Sequence, residues 1–357
     1  MIRISNSETG DYFHLVCDAY QRAEDTTGTC IERFYKIDCL TIRLRFAGPA
    51  LVPLITPALA HLAAEPVTSP SLTVSLADSS STQTELPHPP WNGRESLDTA
   101  NATSRVDQTT IRFKDDDIVG VFQHGDDTLS MLNYDLAQAV FWLPDATHIS
   151  SHERGGPLRN IFHWWSSQQG YQQIHAAAVG TSRGAVLLAG KSGSGKSTTA
   201  LSCLSAGFDY LGDDYCLLKN DPAPYAHSLY SSAKADQNTL QRFPELGSSI
   251  DNPDRPDTEK AVLFLHRDHS TKVTTSSPVR AILVPKITGR PQTRLKPAPR
   301  IEAVKALAPS TIFQFVDAGS TDLRRITQCA HALPCYVLEV GTELKQIPAV
   351  IREFLAT

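Results

Sequence analysis

The stretch GKSGSGKS, residues 190–197, decides how the second half of this chain is interpreted. It fits the pattern G-x-x-x-x-G-K-[ST] at every fixed position. From average residue usage, the four fixed positions coincide by accident in roughly one chain per hundred of this length. An apolar run, residues 184–189, precedes the motif, and a run suited to a helix, residues 199–204, follows it. The sequence therefore predicts a buried strand, a glycine-rich loop and a helix that opens at Lys196.

The residue types of this loop suit a phosphate group. Glycines allow consecutive backbone N–H groups to surround phosphate oxygens, and the start of a helix adds positive potential. Lys196 can reach the β- and γ-phosphates, while Ser197 can offer its hydroxyl to Mg²⁺. The alternative is a glycine-rich turn without a ligand. The predicted nucleotide-binding residues are Gly190, Ser192, Gly193, Ser194, Gly195, Lys196, Ser197 and Thr198.

Two adjacent aspartates, Asp213 and Asp214, follow a short predicted strand at residues 209–211. In open α/β sheets the carboxyl ends of strands face the ligand crevice, so a carboxylate there can hold a metal or accept a proton from a hydroxyl. Successive side chains of a strand point to opposite faces, so we expect the two aspartates to have different roles. The alternative is a polar turn.

Two further features lie near predicted strand ends. His175 opens the strand predicted for residues 174–179, and its imidazole could hydrogen-bond one of the aspartates or serve only as a structural residue. Arg290 and Arg294 follow the strand predicted for residues 281–284. An arginine on such a loop can contact a phosphoryl group or a substrate carboxylate, and a solvated basic loop is the alternative.

The composition bounds the class of protein. The chain has 357 residues, 41% hydrophobic and 20% charged, which suits two globular domains. A net charge of -5 gives no reason to expect a nucleic-acid partner, and seven cysteines without a C-x-x-C pair argue against a disulfide framework or a zinc site. No apolar run has the length of a membrane span and no secretory signal is present at the N-terminus, so a cytoplasmic location without a membrane partner is expected.

The pattern of elements predicts two domains. Residues 1–150 form a β-rich domain, because residues 40–46 alternate between apolar and polar side chains and several similar runs follow. A Ser/Thr/Pro-rich loop is predicted at about residues 78–104. In residues 151–357 helices alternate with apolar strands, which is typical of an α/β sheet. The oligomeric state stays open, a homo-oligomer included.

The ordered combination of His175, the loop 190–197, a helix ending in Ala206-Gly207, and Gly212-Asp213-Asp214 resembles the HPr kinase/phosphorylase family. The resemblance covers residues 171–218. It implies an α/β P-loop kinase domain, with a core like that of HPr kinases and phosphoenolpyruvate carboxykinases, preceded here by the β-rich α+β domain. It also implies ATP and Mg²⁺ as cofactors.

The same resemblance implies a role for each residue. Asp213 acts as the general base with His175 as its partner, Lys196 contacts the phosphates, and Ser197 and Asp214 contact Mg²⁺. The downstream glycine-rich signature of HPr kinases is not found, so the chain looks more like the stand-alone HPr-kinase-like serine kinases, some of them associated with lasso peptides.

The implied reaction is transfer of the γ-phosphoryl group of ATP to a hydroxyl, in particular a serine of a protein or peptide such as a lasso-type precursor. Phosphorylase activity stays open. A nucleotide-binding regulatory switch and a small-molecule kinase are the alternatives, since both would use the same loop.

Overall fold

The computed structural model describes residues 6–89, 110–256 and 258–357. The predicted loop of residues 78–104 falls partly outside these ranges, from residue 90 onward. Asp78, where the predicted loop begins, ends a strand, and its side chain accepts a hydrogen bond from the Ser81 amide at 2.9 Å, which caps one helical turn.

The chain divides into two compact units, each with its own hydrophobic core. The first comprises Met1–Pro57 and Ala63–Trp165, and the second comprises Ala58–Leu62 and Ser166–Thr357. The division therefore falls later than residue 150. Trp165 belongs to the first unit because its side chain is buried there and its indole N–H donates to the carbonyl of Ser71 at 3.2 Å.

The first unit is a sheet with helices. Its elements in chain order, α2 and α5 reaching past the division, are α1 (Asn6–Thr27), β1 (Cys30–Ile37), β2 (Leu40–Ala47), α2 (Val52–Leu59), β3 (Leu72–Asp78), α3 (Ser79–Thr82), β4 (Thr110–Lys114), β5 (Ile118–Gln123), β6 (Thr128–Asn133), β7 (Gln138–Leu143), α4 (Ser151–Gly155) and α5 (Arg159–Gln168).

These seven strands form one sheet in the order β1-β2-β3-β7-β6-β5-β4. The alternation in β2 is as the sequence predicts, because Ile42, Leu44 and Phe46 are buried and the residues between them are only half-buried. Arg45 points to α1, where its guanidinium contacts both carboxylate oxygens of Glu24 at 2.8 and 2.7 Å. This charge-assisted pair ties α1 to the sheet.

The second unit alternates strands and helices. Its elements are β8 (Gln172–Ile174), β9 (Ala176–Thr181), β10 (Gly184–Ala189), α6 (Lys196–Ser205), β11 (Asp209–Gly212), β12 (Cys216–Lys219), β13 (Tyr225–Ser228), β14 (Ser232–Ala235), α7 (Gln237–Arg242), β15 (Ala261–Phe264), α8 (His266–His269), β16 (Ser276–Ile287), β17 (Arg294–Ala298), α9 (Arg300–Ile312), α10 (Ser320–Ala332), β18 (Cys335–Val340) and α11 (Gln346–Ala356).

The centre of this unit is a sheet in which β10, β16 and β18 are parallel neighbours. Every residue of β10 is buried, because α6 and α11 cover one face of the sheet and α9 and α10 cover the other. On the far side of β10, β9 runs antiparallel to it and β11 runs antiparallel to β9. The α/β class predicted for this half of the chain is confirmed.

Strand direction determines where the functional residues meet. Since β10, β11, β16 and β18 all point the same way, their carboxyl ends lie at one edge of the sheet, and β9 begins at that edge. The loop after β10, the two aspartates after β11 and the histidine before β9 therefore share this edge. No helix of the described ranges combines the length and apolar character needed to cross a membrane.

We expect Leu188→Ala to lower the free energy of unfolding by about 2–5 kcal/mol, because it leaves a cavity in a packed core. Leu188 lies on β10, and its side chain is fully buried in the core cluster that includes residues of α6. The control is Leu323→Ala on α10, whose side chain is 43% exposed and whose removal should change stability by less than about 0.5 kcal/mol. Urea titration of both variants checks this, and equal midpoints would contradict it.

Candidate functional site

The loop between β10 and α6 has backbone N–H groups that are exposed and unpaired among the described residues. Gly193 and Gly195 have φ angles of +78° and +99°, a region that side chains disfavour. The amides of Lys191, Ser192 and Gly193 have no hydrogen-bond acceptor among the described residues, and these three residues are exposed. Unpaired amides on an exposed loop at a helix start form a place where an anion can bind.

The hydroxyls of this loop differ in their surroundings. Thr198 lies 3.3 Å from the hydroxyl of Thr239 on α7, measured between the two oxygens. The hydroxyl of Ser194 is buried and has no partner in the part of the chain that the structure describes. Ser197 faces Asp213, and its hydroxyl lowers the pKa of that carboxyl.

Lys196 lies inside the loop that precedes it. Its ammonium donates to the carbonyl oxygen of Gly190 at 2.8 Å and to that of Lys191 at 3.4 Å. The residue is only 6% exposed, and this burial lowers the pKa of the ammonium, while the charges of Asp213 and Asp214 act in the opposite direction. The structure thus places a desolvated cation beneath the exposed loop amides.

Asp213 is the more deeply buried of the two aspartates, with 1% of its surface exposed. Its Oδ2 accepts the backbone N–H of Lys234 at 3.1 Å, whereas its Oδ1 is buried and has no partner among the described residues. Burial, followed by the charge of Asp214, raises the pKa of Asp213 to about 6, against the opposing effects of the Lys234 amide, Ser197 and Lys196.

Asp214 points elsewhere and remains 27% exposed at its side chain. The Lys234 ammonium lies 3.1 Å from its Oδ2, and Nε2 of His175 lies 3.6 Å from its Oδ1. Burial by itself would raise the pKa of Asp214, but the Lys234 ammonium and then His175 outweigh burial and hold this pKa well below its usual range. The pKa values of the two carboxyls are therefore shifted in opposite directions.

His175 is held from both sides. Its backbone N–H donates to the hydroxyl of Thr311, and its Nδ1 lies 3.3 Å from the side-chain amide nitrogen of Gln314. The other end of that Gln314 amide accepts from the Tyr215 hydroxyl at 2.9 Å. Since an amide nitrogen only donates, Nδ1 accepts, and in neutral His175 the proton sits on Nε2 and faces Asp214.

The pairing of the histidine corrects an expectation from the sequence. The resemblance implies that His175 is the partner of Asp213, and β9, which begins directly after His175, does lie beside β11, the strand that leads to Asp213. The imidazole nevertheless faces Asp214, because the two aspartates point in different directions and Asp213 turns toward Ser197 and the Lys234 amide.

Lys234 is a site residue that the sequence analysis does not single out. It lies on β14, and its neighbours Ala233 and Ala235 are both buried, so the alternation of a strand was the available signal. Nothing in the local sequence relates this lysine to aspartates twenty residues earlier.

The structure does not bring Arg290 and Arg294 into this cluster. Arg294 begins β17 and donates to the side chain of Gln292, and Arg290 lies on the loop before it. Across the described ranges, neither guanidinium makes a hydrogen bond to residues 190–197. These two arginines lie further along the same sheet edge, beyond β16.

Ser197 and Asp213 form a small set of oxygen donors. In the described part of the chain, no group of three or more His, Cys, Asp or Glu side chains could hold a metal ion by itself. Mg²⁺ in phosphoryl-transfer sites needs only one or two protein oxygens, since phosphate and water oxygens supply the rest. The free, buried Oδ1 of Asp213 together with the Ser197 hydroxyl fits that requirement.

Comparisons with known proteins give little beyond this geometry. No protein-family model matches the chain, and no curated protein matches it. The solved structure of the Hpr(Ser) kinase/phosphatase from Coxiella burnetii matches 51% of this chain and 95% of its own, with 12% sequence identity and a TM-score of 0.30. The likeness is distant.

We expect Asp213→Asn to stabilise the ligand-free protein at pH 7.5, by about 3 kcal/mol at most, the equivalent of a rise in pKa from 3.8 to about 6. Above pH 6 the folded wild type holds a buried carboxylate that burial disfavours, whereas asparagine is neutral. As the pH falls from 6 to 4, the folded wild type takes up the proton and the advantage of the variant disappears. Urea titrations at pH 7.5 and 4.5 measure the difference.

The control for that prediction is Asp254→Asn, which changes an exposed aspartate of the same unit. It should leave the unfolding free energy within about 0.5 kcal/mol of wild type at both pH values. A loss of stability in Asp213→Asn at pH 7.5, or an equal gain at both pH values, would show that burial does not disfavour the charge of this carboxylate.

Proposed function

We propose that this protein is an ATP- and Mg²⁺-dependent kinase that transfers the γ-phosphoryl group to the hydroxyl of a serine in a protein or peptide. One observation carries the proposal: unpaired loop amides, a buried ammonium and a buried carboxylate oxygen without a partner lie together at the carboxyl edge of one sheet. Phosphoryl transfer depends on positioning and charge neutralisation, and these are the groups it needs. The serine acceptor, of which a lasso-type precursor peptide is one kind, rests on the resemblance of the ordered motif.

The loop and Lys196 bind the triphosphate. The amides of Lys191, Ser192 and Gly193 are available as donors, and the ammonium of Lys196 gives up the carbonyls of Gly190 and Lys191 to contact phosphate oxygens. Because Lys196 is nearly excluded from water, its attraction to a phosphate is screened less than that of a surface lysine.

Ser197 and Asp213 would hold Mg²⁺, which would supply charge neutralisation for the phosphates when bound. This assignment moves the carboxylate ligand from Asp214, as implied by the resemblance, to Asp213. The reason is that Asp213 has an oxygen without a partner among the described residues and faces Ser197, whereas the Lys234 ammonium already balances the charge of Asp214.

Asp214 accepts the proton of the attacking hydroxyl. The hydroxyl of the acceptor substrate must reach the base. The side chain of Asp214 is 27% exposed, whereas Asp213, taken as a whole residue, is 1% exposed. His175 and Lys234 hold Asp214 on two sides, so its carboxylate needs little reorganisation when a hydroxyl arrives. Asp214 and Asp213 therefore exchange the roles that the resemblance implies.

Lys196→Met should weaken the affinity for MgATP at least about tenfold, because it removes the buried cation and keeps the length of the side chain. Isothermal titration calorimetry with MgATP measures this. Lys305→Met on α9 is the control, since Lys305 is exposed and pairs with Glu302 on the same helix at 3.0 Å. Wild-type protein without magnesium-dependent affinity for ATP would refute the proposed function.

Substitutions of the two aspartates should have different effects on Mg²⁺-dependent binding and on phosphoryl transfer. Asp213→Asn should raise the Mg²⁺ concentration for half-maximal ATP binding at least about tenfold, because it removes a charged ligand. Asp214→Asn should leave MgATP affinity within about twofold and reduce transfer by about 10²–10⁴-fold, the usual effect of losing a general base. Calorimetry gives the affinities, and transfer of label from γ-labelled ATP to candidate peptides from neighbouring genes gives the rates.

The opposite pattern, with Asp214→Asn changing the Mg²⁺ requirement and Asp213→Asn sparing it, would restore the assignment implied by the resemblance. A nucleotide-binding switch would instead bind MgATP normally and label no acceptor in the wild type, with partner binding unaffected by Asp214→Asn.

A further inference from the structure

A row of cationic side chains crosses the strands beside the candidate site. In the sheet register Lys286 of β16 lies opposite Glu339 of β18, and Glu339 lies opposite Arg294 of β17. Residues directly opposite each other point to the same face, so these three side chains form a line across three neighbouring strands. Lys296, two residues further along β17, reaches the same Glu339 at 2.7 Å.

Glu339 is the one carboxylate in this row, and its charge does not balance the positive charges around it. The hydrogen bond from Lys296, followed by the charges of Arg290 and Arg294, lowers the pKa of Glu339, so all of these cations act on one acid. Lys286 and Arg290 make no ion pair among the described residues, and both are exposed. We call Lys286, Arg290, Arg294 and Lys296 the basic row.

The excess of positive charge is local. Residues 286–296 and 339–345 together hold five lysines and arginines and two glutamates, whereas the whole chain has a net charge of -5. One of these glutamates, Glu339, is engaged by Lys296, and the other, Glu343, accepts from the side chain of Gln346. A concentrated positive surface on an acidic protein attracts an anionic partner.

The strand that carries Lys286 ends beside the phosphate-binding loop. Leu188 of β10 lies opposite Leu283 of β16, and β16 continues for four residues past that point to Ile287. A Cβ built on Gly195 would lie 3.5 Å from Cγ1 of Ile287, so the end of β16 reaches the loop through Ile287, while the neighbouring Lys286 points to the opposite face of the strand. Neighbouring strands are about 4.8 Å apart, which puts the backbone of Arg294 about 10 Å from that of Lys286.

We infer that the basic row is the docking surface for an acidic segment of the acceptor peptide. This inference rests on the proposed function and adds a substrate class to it. An extended peptide advances about 3.3 Å per residue, so a chain that leaves the candidate site along the row would place its Asp or Glu side chains about three to six residues from the serine. Arginine recognises such carboxylates with paired N–H donors, which gives direction as well as affinity.

The test measures peptide binding, which does not depend on catalysis. Two fluorescein-labelled twelve-residue peptides each carry one serine and four aspartates, placed three to six residues before the serine in one and after it in the other, and two matched peptides carry asparagine instead. We expect one aspartate peptide to bind the wild type at least tenfold more tightly than its asparagine match by fluorescence anisotropy. Arg290→Glu/Arg294→Glu should remove that preference, and higher salt should weaken it.

The control is Arg324→Glu, which reverses an exposed charge on α10 of the same unit and should leave peptide binding within twofold. Equal binding of aspartate and asparagine peptides to the wild type, or an unchanged preference in the double variant, would overturn the inference. A preference lost equally in Arg324→Glu would also overturn it, because the effect would then be one of net charge.

Failure of this inference is distinguishable from failure of the proposed function. Neither arginine of the double variant touches the loop, so its affinity for MgATP should equal that of wild type. If MgATP binds and the acidic peptides show no preference, the docking surface is wrong and the proposed kinase stands. If the wild type binds the acidic peptide through the basic row but does not bind MgATP, the docking surface stands and the proposed kinase is wrong.

Discussion

The candidate site depends on how one lysine keeps two adjacent carboxylates side by side. Lys234 donates its backbone N–H to Asp213 and places its ammonium against Asp214, at 3.1 Å in both cases. Two like charges in neighbouring buried positions destabilise each other, and one cation cannot satisfy both equally. Here the ammonium goes to one aspartate and the amide to the other. The result is a pair in which the pKa of one carboxyl lies well below its usual range and the pKa of the other is raised to about 6.

That division is possible because the sheet brings distant residues to one edge. The parallel direction of β10, β11, β16 and β18 places four strand ends side by side, and β14 adds Lys234 from outside this sheet. The order in space differs from the order in the chain, because β16, almost a hundred residues after β10, is the strand that lies beside it. Such an edge gathers amides, cations and carboxylates without requiring them to be close in sequence.

Local features of the second unit were predictable. The strand before the loop ends at Ala189 and the helix begins at Lys196, as the motif indicates, and helices alternate with strands through the rest of the unit as predicted. The first unit shows the opposite case. Helix α1 is absent from the predictions. Tyr12, Phe13, Val16 and Tyr20 have helical spacing and are all buried, but polar residues surround them in the sequence. Their shared apolar face becomes evident only where it packs against the sheet.

By itself the sequence determined the phosphate-loop motif, the strand and helix that flank it, and the presence of two aspartates after a nearby strand, because each of these depends on residues within one short stretch of chain. Tertiary structure alone decided that His175 faces Asp214, that Lys234 joins both aspartates, and that Arg290 and Arg294 lie in a basic row beyond the loop. These contacts depend on strand order, strand direction and register, which arise from packing between segments far apart in the chain and leave no mark on local sequence.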